Sequence, residues 1–187
     1  MIFTLPNAIS VIRIGMVPVF VWLLLGSDSP AAAGWLLAVI GGTDWIDGFL
    51  ARRLDQVSEI GKFLDPAADR LAVAAAVIGG WISGDLPWPI SLAIIVREVV
   101  IIIGAIVVGI TSRAKIDVRY IGKVATLGVY FALPAFLVAS GTNTAWLEWA
   151  AWTVVVPSLV LYYLVAYQYV GDMRRVLRGD GAVSSGG

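Results

Sequence analysis

Long apolar runs alternate with short polar breaks along this chain. Six of the runs are of the length, about 20 residues, that a helix needs to cross a bilayer. They cover residues 8–26, 31–52, 66–84, 88–111, 121–140 and 145–170. The breaks Gly26-Ser27-Asp28-Ser29-Pro30, Ser83-Gly84-Asp85-Leu86-Pro87 and Ser140-Gly141-Thr142-Asn143 have the composition of turns. Pro18, Pro134 and Pro157 fall inside runs and predict kinks, which membrane helices tolerate. The pattern predicts an all-α integral membrane protein with six transmembrane helices, forming one domain over residues 1–178. Residues 179–187, Gly-Asp-Gly-Ala-Val-Ser-Ser-Gly-Gly, predict a disordered tail. Met1–Asn7 is expected along the interface. The first run is read as a retained helix, because no basic segment precedes it and Arg13 interrupts it.

Composition agrees with a membrane protein. Of 187 residues, 59% are hydrophobic and 14% charged, and mean hydropathy is +0.89; soluble domains run nearer 45–50% and ~25%. Net charge is zero, so the placement of charge matters more than its sum. The breaks near 27–30, 84–87 and 140–145 carry no lysine or arginine. Arg52, Arg53 and Lys62 flank one of the remaining breaks, Arg113, Lys115, Arg119 and Lys123 the other, and Arg174, Arg175 and Arg178 close the last run. The positive-inside rule then puts both termini and both basic loops in the cytoplasm of a multi-pass plasma-membrane protein. Cysteine and histidine are absent. No disulfide framework exists, any metal site is built from oxygen, and any general base is a carboxylate, lysine or tyrosine.

The candidate chemistry is concentrated in one block, opened by Thr43 and running from Asp44 to Asp69. Asp44 and Asp47 are three residues apart, Asp65 and Asp69 four apart, so each pair shares a helix face. The 17 residues between Asp47 and Asp65 are enough to end one helix and begin the next, with Asp65-Pro66 as its N-terminal cap. Surface capping accounts for Asp55 and Glu59 but not for Asp44 and Asp47, which sit among Val39, Ile40, Trp45, Ile46 and Phe49. Like charges within 4 Å repel by roughly 4 kcal/mol per pair at an effective dielectric of 20. Four such groups need cations, and all-oxygen ligation favours Mg²⁺, Mn²⁺ or Ca²⁺ over zinc. Gly48, Ala51 and Gly61 are small enough to let phosphates approach the backbone, and Arg52 is placed to neutralise one. Packing glycines and an interfacial arginine are the plainer readings of the same positions.

Asp44-x2-Asp47-Gly48-x2-Ala51-Arg52-x8-Gly61-x3-Asp65-x3-Asp69 resembles, at all eight positions, the signature of the CDP-alcohol phosphotransferases, membrane enzymes of phospholipid synthesis. The likeness extends to six spans, the segment Pro6-Asn7…Arg13, Arg97-Glu98 in the fourth run and Ile121-Gly122-Lys123 before the fifth. It implies a homodimer, CDP-diacylglycerol as donor and two divalent cations, Mg²⁺ or Mn²⁺. It also implies Asp44, Asp47, Asp65 and Asp69 as ligands, with Asp69 doubling as base. Thr43, Gly48, Ala51, Arg52 and Gly61 would then meet the nucleotide and pyrophosphate. An acceptor hydroxyl attacks the β-phosphorus in line and CMP leaves, a reaction in which positioning and charge stabilisation dominate.

Arg97, Arg113, Lys115, Arg119 and Lys123 are the candidate acceptor residues; for the loop members the positive-inside rule is the competing reading. The Asp-Pro-Ala-Ala-Asp-Arg run and Arg97-Glu98 look like the family's glycerol branch. In that branch glycerol 3-phosphate gives phosphatidylglycerol phosphate, or phosphatidylglycerol gives cardiolipin. The Gly-Lys-Val-Ala-Thr run and the aromatic sixth run are similar to cardiolipin synthases of the actinobacterial kind, with inositol phosphate as the alternative acceptor. No nucleic-acid partner is indicated. From other classes, a cation transporter would spread its ionisable groups over several spans at mid-bilayer. An intramembrane prenyltransferase would keep its two acidic motifs in separate loops.

Overall fold

The computed structural model describes residues 5–54, 61–111 and 120–177. Among them are six α-helices: α1 (Leu5–Val21), α2 (Pro30–Leu54), α3 (Gly61–Ser83), α4 (Trp88–Thr111), α5 (Tyr120–Thr142) and α6 (Ala145–Leu177). No strand occurs among the described residues. The expected turns fall where their composition placed them. Asp28 (φ 49°), Gly84 (φ 84°) and Asn143 (φ 51°) each reverse the chain through the left-handed region, which glycine, asparagine and aspartate enter most readily. A π-helical turn, Trp22–Gly26, follows α1 and lies four residues beyond Pro18. Such turns re-satisfy carbonyls in membrane helices that contain proline.

Among the described residues, three segments are long and apolar enough to span a bilayer: Ile9–Gly26, Val124–Thr142 and Ala145–Leu164. The protein is an α-helical membrane protein. α5 packs most extensively on α6 and α2, α1 lies against α3 and α2, and α4 docks on α6 and α3. Small residues set these distances. A Cβ on Gly34 of α2 would lie 2.8 Å from the Pro134 carbonyl of α5, so only glycine permits that crossing. On α3, Ala68, Ala72 and Ala76 form a buried stripe at four-residue spacing. The central core joins Phe20, Leu24, Ile40, Val77, Ile94, Val129, Phe136 and Val155 from all six elements.

The two ends of the bundle differ. Gly141 at the end of α5 abuts Ala31 at the start of α2, and the Ser140 hydroxyl donates to Asp85 at 2.5 Å. Around this end stand the exposed indoles of Trp22, Trp35, Trp81, Trp88, Trp146 and Trp149, the side chain that favours a membrane–water boundary. The acidic block lies toward the other end.

Two sequence expectations change. α3 begins at Gly61, so Asp65 is its fifth residue rather than a cap. α2 runs on to Leu54, two residues beyond the expected run, and Asp44 lies ten residues inside its end. At 1.5 Å per residue that is roughly 15 Å of helix. The reason is that Phe49–Leu54 and Gly61–Leu64 contain no breaker other than Gly61 itself, so both helices propagate past the acids.

Candidate active site

α2 and α3 touch, and their acidic positions fall at comparable depths. Asp47 is seven residues from the end of α2, and Asp65 and Asp69 are four and eight residues from the start of α3. The side chains of Asp44, Asp47 and Asp65 lie outside the described residues, as do those of Gly48's neighbours Ala51 and Arg52 and that of Lys123. Arg113, Lys115 and Arg119 lie outside them altogether. Gly61 is the first residue of α3. The Thr43 hydroxyl donates back to the Ile40 carbonyl at 2.7 Å, within its own helix.

Asp69 is the acid whose surroundings are described. Its Oδ1 accepts from Arg13 Nη1 at 3.0 Å across the α1–α3 contact. The Arg13 side chain is fully buried, while that of Asp69 keeps 26% of its surface exposed. That exposed surface faces a cavity of about 860 Å³ between α2 and α5. Asp69, Thr126 and Tyr130 stand toward one end of it. Gly41, Gly42, Phe131 and Pro134 line its length, and Trp35, Val138 and Leu147 its far end. The cavity is thus polar where it meets Asp69 and apolar toward the indole-bearing end.

A second charged group joins the helices around it. The Arg97 guanidinium stacks 3.7 Å from the centre of the Tyr162 ring and bonds to the Glu98 carboxylate. Glu98 Oε2 also lies 3.8 Å from Nη1 of Arg70, the residue after Asp69. Tyr162 in turn lies beside Thr126 of α5. Arg97 thus links α4, α6 and α3 and is not among the described lining residues of the cavity. Sequence reasoning found Arg97 and Glu98, and Tyr162 as one of the aromatic residues of the sixth run, but missed the stacking of Arg97 on Tyr162 and the pairing of Arg13. The signal for Arg13 was present, since an ionisable residue inside an apolar run demands a partner. Which carboxylate would supply it was not readable, because the two residues are 56 positions apart.

The residues suit divalent cations. Every acidic donor is a carboxylate, histidine and cysteine are absent, and the one described carboxylate of the block lines a cavity instead of being closed off in packing. The described residues alone hold no group of three or more ligating side chains; the remaining three aspartates would have to complete it.

Of the block's acids, Asp69 is the one described at a largely apolar groove between helices of a membrane protein. The CDP-alcohol phosphatidyltransferase family profile matches residues 3–157, and the chain belongs to that family. Among similar proteins, one named cardiolipin synthase (CMP-forming), from Streptomyces coelicolor, is 34% identical over 96% of this chain and 86% of its own length. A putative cardiolipin synthase of Mycobacterium tuberculosis is 32% identical over 95% and 86%. A CDP-diacylglycerol–glycerol-3-phosphate 3-phosphatidyltransferase of Escherichia coli is 33% identical over 92% and 96%.

Proposed function

We propose that this chain transfers the phosphatidyl group of CDP-diacylglycerol to a glycerol-type alcohol, releasing CMP, and that the alcohol is the headgroup of phosphatidylglycerol. The carrying observation is the cavity that meets Asp69 at its polar end and continues between α2 and α5 as an apolar groove. A phosphatidyl substrate needs both environments, because its phosphates are charged and its acyl chains gain about 0.8 kcal/mol per buried methylene. Relatives named for the glycerol 3-phosphate and the cardiolipin reactions stand at similar identity. The length of apolar groove that continues away from Asp69 favours a lipid acceptor. Glycerol 3-phosphate is the second reading, and Arg97 and Arg70, gathered around Glu98 next to Asp69, are what favours it.

Asp44, Asp47, Asp65 and Asp69 would hold two divalent cations, Mg²⁺ or Mn²⁺. When bound, these ions polarise phosphoryl oxygens and stabilise the departing phosphate. The chain's own residues supply the rest. The Asp69 carboxylate, whose Oδ1 also accepts from Arg13, accepts the proton of the attacking hydroxyl. The new O–P bond forms as the bond to CMP breaks, and CMP leaves with the electron pair. Gly48, Ala51 and Gly61 leave room for the pyrophosphate, and Arg52 offsets its charge. Thr43 meets the nucleotide and pyrophosphate with them, and Lys123, Arg113, Lys115 and Arg119 with Arg97 receive the acceptor's phosphate. Six spans, with the basic ends in the cytoplasm and the indoles outside, bring this chemistry to the cytoplasmic side. A homodimer is the assembly the resemblance supports.

The test is direct. Purified protein receives CDP-diacylglycerol and Mg²⁺ with phosphatidylglycerol, glycerol 3-phosphate or inositol phosphate in turn. CMP release with phosphatidylglycerol is the expected result. Release with glycerol 3-phosphate alone would move the assignment to the second reading.

A further inference from the structure

We propose that Arg13 is a positioning residue for phosphatidyl transfer, holding the Asp69 carboxylate in the plane it needs at the mouth of the groove. This rests on the phosphatidyltransferase reading given above. Arg13 is the ninth residue of α1 and Asp69 the ninth of α3. The guanidinium is 0% exposed and its Nη1 stands 3.0 Å from Oδ1, a charge-assisted bond that restricts rotation of the carboxylate. An arginine that only sets topology stays near a helix end and extends its head to the interface. Arg13 does neither. It lies about 12 Å of helix inside the start of α1 and is buried, a costly position unless the charge is paired.

The local packing is built for that pair. Ala68, directly before Asp69, is fully buried and belongs to the alanine stripe of α3, and Ser10 on α1, one turn before Arg13, is also fully buried. These small side chains let α1 and α3 come close enough for the guanidinium to reach across. Asp69 lines the groove and Arg13 does not, so Arg13 acts through Asp69 and touches no substrate. Lysine is a poor replacement, since it presents a mobile point charge in place of a planar fork. A misplacement of the reacting group by 1 Å costs about a hundredfold in rate.

The experiment compares the full chain with Arg13→Lys and Arg13→Gln in detergent micelles, measuring CMP release, Mn²⁺ affinity by electron paramagnetic resonance and thermal unfolding. For Arg13→Lys the expected result is a kcat lower by about a hundredfold, a KM for CDP-diacylglycerol within about twofold of wild type and weaker Mn²⁺ binding, all per folded molecule. Arg13→Gln keeps a donor for Oδ1 and is the second variant, should the lysine protein not fold; the same split is expected. Wild-type kcat and Mn²⁺ affinity in either variant would overturn the proposal. So would losses that track only the folded fraction. If the wild-type chain released no CMP, the phosphatidyl-transfer reading would fall. The Mn²⁺ comparison would then still decide whether Arg13 orients Asp69.

Discussion

At the residue scale, the Arg13–Asp69 pair changes what substitution of the acid means. Asp69→Asn is expected to abolish CMP release, but it also leaves a buried guanidinium without its carboxylate. Breaking a buried pair from one side costs about 3–5 kcal/mol, whereas removing both charges together is often neutral. Asp69→Asn alone should therefore melt well below wild type, and Arg13→Met/Asp69→Asn should recover most of that loss while remaining inactive. Thermal unfolding of the two variants checks this. Recovery of turnover by the double variant would remove Asp69 from the role of base. Arg97 is tied to Glu98 and to the face of Tyr162. Arg97→Ala is expected to raise KM for the acceptor and to loosen the contact of α4 with α6. An unchanged acceptor KM would leave Arg97 as a purely structural cation–π partner, worth about 0.5–2 kcal/mol.

At the element scale, the α2–α5 pair sets the groove, and two glycines of α2 play opposite parts in it. Gly34 meets the backbone of α5, so Gly34→Val forces the helices apart. Overpacking of this kind costs about 1–3 kcal/mol, visible as a lower melting temperature. Gly42 lines the groove, and a Cβ there meets nothing within 4 Å. Gly42→Leu should fold normally yet obstruct the groove, and turnover of long-chain CDP-diacylglycerol should fall more than that of a short-chain analogue. Equal effects on both donors would argue that the acyl chains lie elsewhere. The extents of the described helices were legible in the run lengths and turn residues to within a few positions, apart from the start of α3 at Gly61 and the end of α6 at Leu177. Those ends escaped because the residues before Pro66 and around Arg174 and Arg175 are charged or polar yet helix-compatible, so helix continuation through them leaves no mark in hydropathy.

At the scale of the whole molecule, two predictions concern ions and orientation. Chelation should abolish CMP release, and Mg²⁺ or Mn²⁺ should restore it, while Zn²⁺ should not, because the carboxylate set lacks the nitrogen and sulfur donors zinc prefers. The absence of cysteine permits a clean labelling test. Asn143→Cys, beside the exposed indoles, should react with an impermeant maleimide on intact cells, and Ser184→Cys only after permeabilisation. The reverse pattern would invert the proposed topology.

Apolar run length, turn chemistry, the distribution of lysine and arginine and the spacing of the four aspartates are local properties. The sequence by itself therefore determined a helical membrane protein, the order of its described helices and the family to which it belongs. Tertiary structure alone decided that Arg13 meets Asp69, that Arg97 stacks on Tyr162 and that α2 and α5 part to form a groove at the acid. Each of those joins residues far apart in the chain, and helix-to-helix contacts in lipid depend on small side chains and close packing, which leave hydropathy almost unchanged.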